Sequence, residues 1–144
     1  MRLWTIDHAE WQKAALFVDT LLLPVCPFEL REKRLFLDAG KRMERLAAAV
    51  EAKLAGRVLL LPPLHYVPRD GDVWNSVFQG ILEDIRSAGF DFLVIVGHGL
   101  PDPDFAEKPE PVRVLVHRPE EDASVEEASE RLYGKILDLW QRYG

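Results

Sequence analysis

The sequence is poor in cysteine: Cys26 stands alone among 144 residues, so no internal disulfide can form. A lone thiol suits a reducing cytosol, and a cytoplasmic location is the expectation. Basic charge is also scarce. Eighteen Lys and Arg face 24 Asp and Glu, for a net charge of −6 and a pI near 5.2. That balance argues against general nucleic-acid binding. The densest basic stretch, Arg31, Lys33 and Arg34 followed by Lys41, Arg42 and Arg45, is interleaved with Glu32 and Glu44. Long apolar runs are missing too. The longest without charge covers about residues 20–28, far short of the roughly 20 residues a membrane span needs. The opening Met-Arg-Leu-Trp-Thr-Ile-Asp-His lacks the apolar core of a signal peptide. A soluble protein without membrane insertion is expected. Neither GxGxxG nor GxxxxGK[ST] occurs, which weakens a nucleotide-binding reading, and there is no HExxH pair for zinc.

What is present is ordinary globular material, 48% hydrophobic and 29% charged. The length fits one α/β domain over residues 1–144, large enough to bury its core without a metal or disulfide staple. Asp7 with Glu10 predicts a helix start, the helix running to about Leu16 with Trp11, Ala15 and Trp4 on its apolar side. Residues 17–24 form a continuous apolar run ended by proline, the pattern of a strand covered on both faces. Residues 25–36 read as a loop. Met43, Leu46, Ala47, Val50 and Leu54 recur at helical spacing over 39–54, and Gly56 stops that helix. Residues 57–61 are a second strand, closed by Pro62 and Pro63. A third helix carries Trp74, Val77, Phe78, Ile81, Leu82 and Ile85 and ends near Gly89. The third strand is 92–96.

Strand, helix, strand, helix, strand specifies right-handed crossovers and a short, mostly parallel sheet of about four strands with helices on both faces. Residues 100–111 carry four prolines and no helical period, so the fourth strand, 112–117, lacks a helical crossover. That permits an antiparallel edge strand, with a coil crossover as the other option. Ser124 with Glu127 forms a capping box for the last helix.

In an open parallel sheet, ligands bind beyond the carboxyl ends of the strands. There the sequence places Glu29, Asp38 and His98, with His65, Tyr66, Asp70 and Asp72 on the second loop. Each has a plainer reading. Asp38 can cap the helix at Ala39, Glu29 can be a solvated loop carboxylate, and His98 between two glycines can mark a tight turn. Cys26 between two prolines reads as a buried, inert thiol, and Trp11, Trp74 and Trp140 read as core.

The succession of segments is more telling. Leu-Leu-Leu-Pro-Val-Cys-Pro-Phe-Glu ends at Glu29, and Leu37-Asp38 leads into an alanine-rich helix. Arg-Val-Leu-Leu-Leu-Pro-Pro-Leu-His-Tyr ends at Tyr66, and Leu-Val-Ile-Val-Gly-His-Gly ends at Gly99. This order, over roughly residues 18–99, resembles the creatininase-like amidohydrolases. There a strand ends in Pro-Val-Gly-Ser-x-Glu-x-His-Gly, and an aspartate opens the next helix. A Leu-Pro-Pro-Leu-x-Tyr-Gly strand end and an Asn-Gly-His-Gly-Gly-Asn turn follow. The whole chain also looks like the YpiF-like family of unknown function from spore-forming bacteria, with its Val-Asp-Thr strand start and Leu-Leu-Pro-Pro strand end.

The creatininase resemblance implies two divalent metals held by Glu, His, a bridging Asp, a second His and often a second Glu. The first glutamate matches Glu29, the aspartate Asp38 and the later histidine His98. Arg31 stands where the first histidine belongs, and Leu100 where the second glutamate can be. The resemblance therefore implies a bacterial, catalytically inactive creatininase-like protein of unknown function, short for its family, serving as a binding or accessory protein. No cofactor is then expected, and Glu29, Arg31, His65, Tyr66 and His98 are its candidate binding residues. The alternative is a mononuclear metal-dependent amidohydrolase acting on a small amide, with one Zn²⁺ or Mn²⁺ on Glu29, Asp38 and His98. The partner is a protein or a small molecule, and a homo-oligomer is left open.

Overall fold

Local signals place most elements in the computed structural model, which describes residues 1–26, 29–66, 70–97 and 112–143, and for Glu29 the backbone alone. The Asp7 side chain accepts from the Glu10 N–H at 2.7 Å and starts α1 (His8–Ala14). Asp70 accepts from Asp72 and Val73 to start α3 (Gly71–Ala88), which Gly89 ends in a left-handed conformation at φ 88°. The Ser124 hydroxyl accepts from Glu127 N–H at 3.1 Å ahead of α4 (Val125–Tyr143). Helix α2 (Asp38–Lys53) departs from expectation. Its N-cap is Leu37, which has no capping side chain, and Asp38 is its first helical residue. The Asp38 carboxylate therefore faces the positive end of the helix dipole from within the first turn.

The strands β1 (Thr20–Val25), β4 (Val58–Leu60), β5 (Phe92–Gly97) and β6 (Arg113–His117) form one sheet in the order β4-β1-β5-β6. All three pairings are parallel, with Thr20 opposite both Val58 and Phe92, and Phe92 opposite Arg113. The fourth strand is thus a parallel edge, which corrects the antiparallel option. The 15 residues between Gly97 and Arg113 are long enough to return the chain to the same end of the sheet.

Side chains alternate across this sheet, as the pleat requires. Leu22, Val58, Leu60, Val94 and Val96 pack with Met43, Leu46 and Val50 of α2 and Leu132 and Ile136 of α4. On the other face Leu21, Leu23, Leu59, Leu93 and Ile95 pack with Trp74, Phe78, Leu82 and Ile85 of α3, and Trp11 of α1 leans on that cluster. The result is three layers, helix–sheet–helix. Trp74 and Phe78 meet edge-on with ring centroids 4.0 Å apart. No helix among the described residues is long and apolar enough to cross a membrane.

Two segments differ from the sequence reading. The stretch read as a loop contains an antiparallel hairpin, β2 (Glu29–Arg31) and β3 (Arg34–Phe36), with Arg31 opposite Arg34. Its turn residues Glu32 and Lys33 have φ of 49° and 64°, the mirror-image turn that suits a hairpin's twist. Asn-Gly normally announces that turn; Glu-Lys does not. Trp4, expected on the apolar side of α1, is 53% exposed. The chain before α1 instead runs along the outer edge of β4, where Leu3 N–H donates to Leu60 C=O and Leu60 N–H to Met1 C=O, at 3.0 and 2.7 Å.

Candidate functional site

The strand order places β4 to one side of β1, and β5 and β6 to the other. The crevice between the carboxyl ends of β1 and β5 is the point where the order reverses, where ligands of open α/β sheets sit. The backbones close in there. A Cβ on Gly97 would lie 2.8 Å from the Val25 carbonyl oxygen, so the residue opposite Val25 has to be glycine-sized. Just beyond, Cys26 N–H donates to Leu64 C=O at 2.8 Å, tying the exit of β1 to the loop after β4. A Cβ on Gly40 would meet the Cys26 carbonyl at 3.2 Å, so the first turn of α2 lies directly on this exit.

Cys26 is 1% exposed. Burial, with a smaller contribution from the Glu44 carboxylate, pushes its thiol up to about 12. A thiolate is the nucleophilic form, and almost none exists here at neutral pH. Burial and the raised thiol agree with the inert-thiol reading.

The candidate ligands distribute unevenly over this end of the sheet. Asp38 is exposed at the start of α2. Arg31 lies on the hairpin, its guanidinium 5.0 Å over the Phe36 ring. The Glu29 backbone is in β2 opposite Phe36, while its side chain and the whole of His98, which follows β5, lie outside the described residues. Among the described residues no three His, Cys, Asp or Glu side chains converge as metal ligands would. His65 is at the β4 end, with Nε2 3.4 Å from the Glu44 carboxylate. Tyr66 beside it is 76% exposed.

Sequence reasoning missed a second concavity. A cleft of about 480 Å³ opens between α2, the end of β4 and the segment before α1, with Trp4, Arg45, Ala48, Pro63 and His65 among its lining. Of these the sequence points only to His65 as a binding residue. Nothing in the spacing of Trp4 or Arg45 signals a site, because the chain that carries Trp4 reaches α2 only through backbone pairing at the sheet edge.

Residues 9–100 match the family described as "Protein of unknown function (DUF2487)". The chain belongs to that family. No curated protein matches this DUF2487 member. Among solved structures it is similar to a tryptophan-to-phenylalanine creatininase mutant, with a TM-score of 0.61 and 16% identity over 81% of this chain and 58% of that one. It is also similar to a type II creatininase mutant, with a TM-score of 0.56 and 16% identity over 81% of this chain and 57% of that one. A candidate creatinine amidohydrolase from Bacteroides fragilis gives a TM-score of 0.54 and 15% identity over 82% and 55%. The DUF2487 member therefore has a creatininase-like fold, and it spans less than three-fifths of the length of these structures.

Proposed function

We propose that this DUF2487 member keeps the creatininase-like scaffold without its hydrolytic chemistry and works as a cytoplasmic binding or accessory protein. The observation that carries this reading is Arg31. By the creatininase resemblance it stands where a metal-ligating histidine belongs, and a guanidinium stays charged and has no lone pair to give a metal. Its position over Phe36, on a hairpin strand beside a second arginine, gives that cation a structural partner of its own. Among the described residues no three potential metal ligands converge, and Arg31 cannot serve as one.

A second reading is favoured by Asp38. Its carboxylate is not spent on capping, since Leu37 holds that position, and it opens towards solvent at the carboxyl end of the sheet. With Glu29 and His98 it could serve one Zn²⁺ or Mn²⁺ in an amidohydrolase acting on a small amide.

Elemental analysis of protein purified without chelator, on wild type and His98→Ala, separates the two, alongside hydrolysis of creatinine with added zinc or manganese. The proposal expects no stoichiometric metal and no hydrolysis above an Asp38→Ala control. About one equivalent of metal, lost in His98→Ala, together with hydrolysis that Asp38→Ala removes, would overturn it.

A further inference from the structure

The cleft beside β4 has a composition that surface packing does not explain. Its floor is small or rigid, made by Ala47 and Ala48 of α2 with Pro24, Leu60 and Pro63. Trp4 lines it and stays 53% exposed, which leaves its indole open to a ligand. Most of the charge around it is already paired. Arg2 Nε lies 3.4 Å from Glu51, a buried carboxylate, and His65 lies 3.4 Å from Glu44. Arg45 is the exception, with no hydrogen-bond or ion-pair partner among the described residues.

We infer that this cleft binds a small, flat molecule carrying a single carboxylate, with the carboxylate on Arg45 and the apolar body against Trp4 and the alanine–proline floor. A guanidinium presents a planar pair of donors that matches a carboxylate, and an indole offers a large rigid contact at little entropic cost. The volume, about 480 Å³, lies in the range of small-molecule sites. One unpaired cation with Glu44 close by limits the ligand to one negative charge. A phosphate would bring nearly two, and no helix N-terminus or glycine-rich loop is there to receive it. The site uses none of Glu29, Asp38 and His98, so it stands whichever way the metal question falls.

The test is a titration of ¹⁵N-labelled protein with 2-naphthoate and with its neutral isostere 2-naphthamide, read on the four tryptophan indole N–H signals. The Trp4 signal should shift saturably with 2-naphthoate while that of buried Trp74 stays in place. Affinity should fall about tenfold or more for 2-naphthamide, and equally for 2-naphthoate with Arg45→Gln, the value of one hydrogen bond to a charged group. Ala48→Trp should abolish binding by filling the floor, with the unmoved Trp74 signal reporting an intact core. Arg45→Gln, at an exposed position, keeps the test open should Ala48→Trp misfold. No saturable shift of Trp4, or equal affinity for acid and amide, would overturn the inference.

Discussion

Replacing Gly97 by alanine adds one methyl group where the backbone approach is tightest among the described glycines. The new Cβ would sit 2.8 Å from the Val25 carbonyl oxygen and 3.0 Å from its Cβ. Neither atom can move cheaply. Val25 is fully buried, its strand is held between β4 and β5, and Cys26 beyond it is bonded to Leu64. Removing a glycine from a strand ordinarily gains about 0.5–1 kcal/mol of backbone entropy. Forcing a methylene-sized group into a filled space costs about 1–3 kcal/mol. The clash should win, leaving a net loss of up to about 2.5 kcal/mol. Gly80 is the matched control: it is helical, exposed and has nothing within 4 Å of its virtual Cβ. Gly80→Ala should stabilise the protein by about 0.5–1 kcal/mol. Urea denaturation of both variants at constant m-value reads the pair, and the midpoints should move in opposite directions. A Gly97→Ala midpoint at or above wild type would refute the argument that this crevice is closed by backbone contact.

Three further outcomes follow from the same structure. Arg57 grips Asp19 through Nε and Nη2 at 3.0 Å each and lies 3.9 Å over the Trp140 ring, whose Nε1–H donates to Thr20 at 2.9 Å. Arg57→Lys keeps the charge but loses the fork and the stacking plane, and should cost about 1 kcal/mol in urea titrations. Met43 is fully buried between α2 and the sheet, so Met43→Ala should lower stability by about 2–5 kcal/mol, seen as a lower melting temperature. For Cys26 the folded thiol holds its proton up to about 12, against 9.0 for the free group. Its contribution is therefore complete below pH 9 and is lost as pH rises towards 12. Melting temperature should fall less steeply over that interval in Cys26→Ala, and a thiol reagent at pH 8 should label the native protein only after urea is added.

The layered fold was legible because buried parallel strands leave uninterrupted apolar runs, and residues 20–25 and 92–97 carry them in full. The helices were legible from apolar periodicity and from Asp7, Ser124 and Gly89, whose capping chemistry is local, whereas Asp70 was read only as a loop residue and caps α3. The hairpin was not, because Glu32 and Lys33 adopt positive φ against their intrinsic preference, a cost of about 1–3 kcal/mol per residue that local sequence does not announce. The direction of β6 was open for a different reason. Residues 100–111 carry no apolar period that would announce a crossover, so only the register Phe92↔Arg113 decides it. Of the candidate site, Arg31, Asp38 and His65 came from ordered motifs, whereas Trp4 and Arg45 meet only through tertiary pairing at the β4 edge.

The position of β1 in the middle of the order β4-β1-β5-β6 has a consequence for assembly in time. It is the first strand of the sheet to leave the ribosome, yet one of its partners, β5, is made only after α2, β4 and α3. No hairpin joins any two neighbours in this sheet, so every ladder must close a long loop before it is rewarded, and such topologies fold slowly. Until then the run Leu21–Leu22–Leu23, buried in the finished protein, keeps one edge unpaired even once β4 is made. The nascent chain is therefore most prone to aggregate between the synthesis of β1 and the arrival of β5.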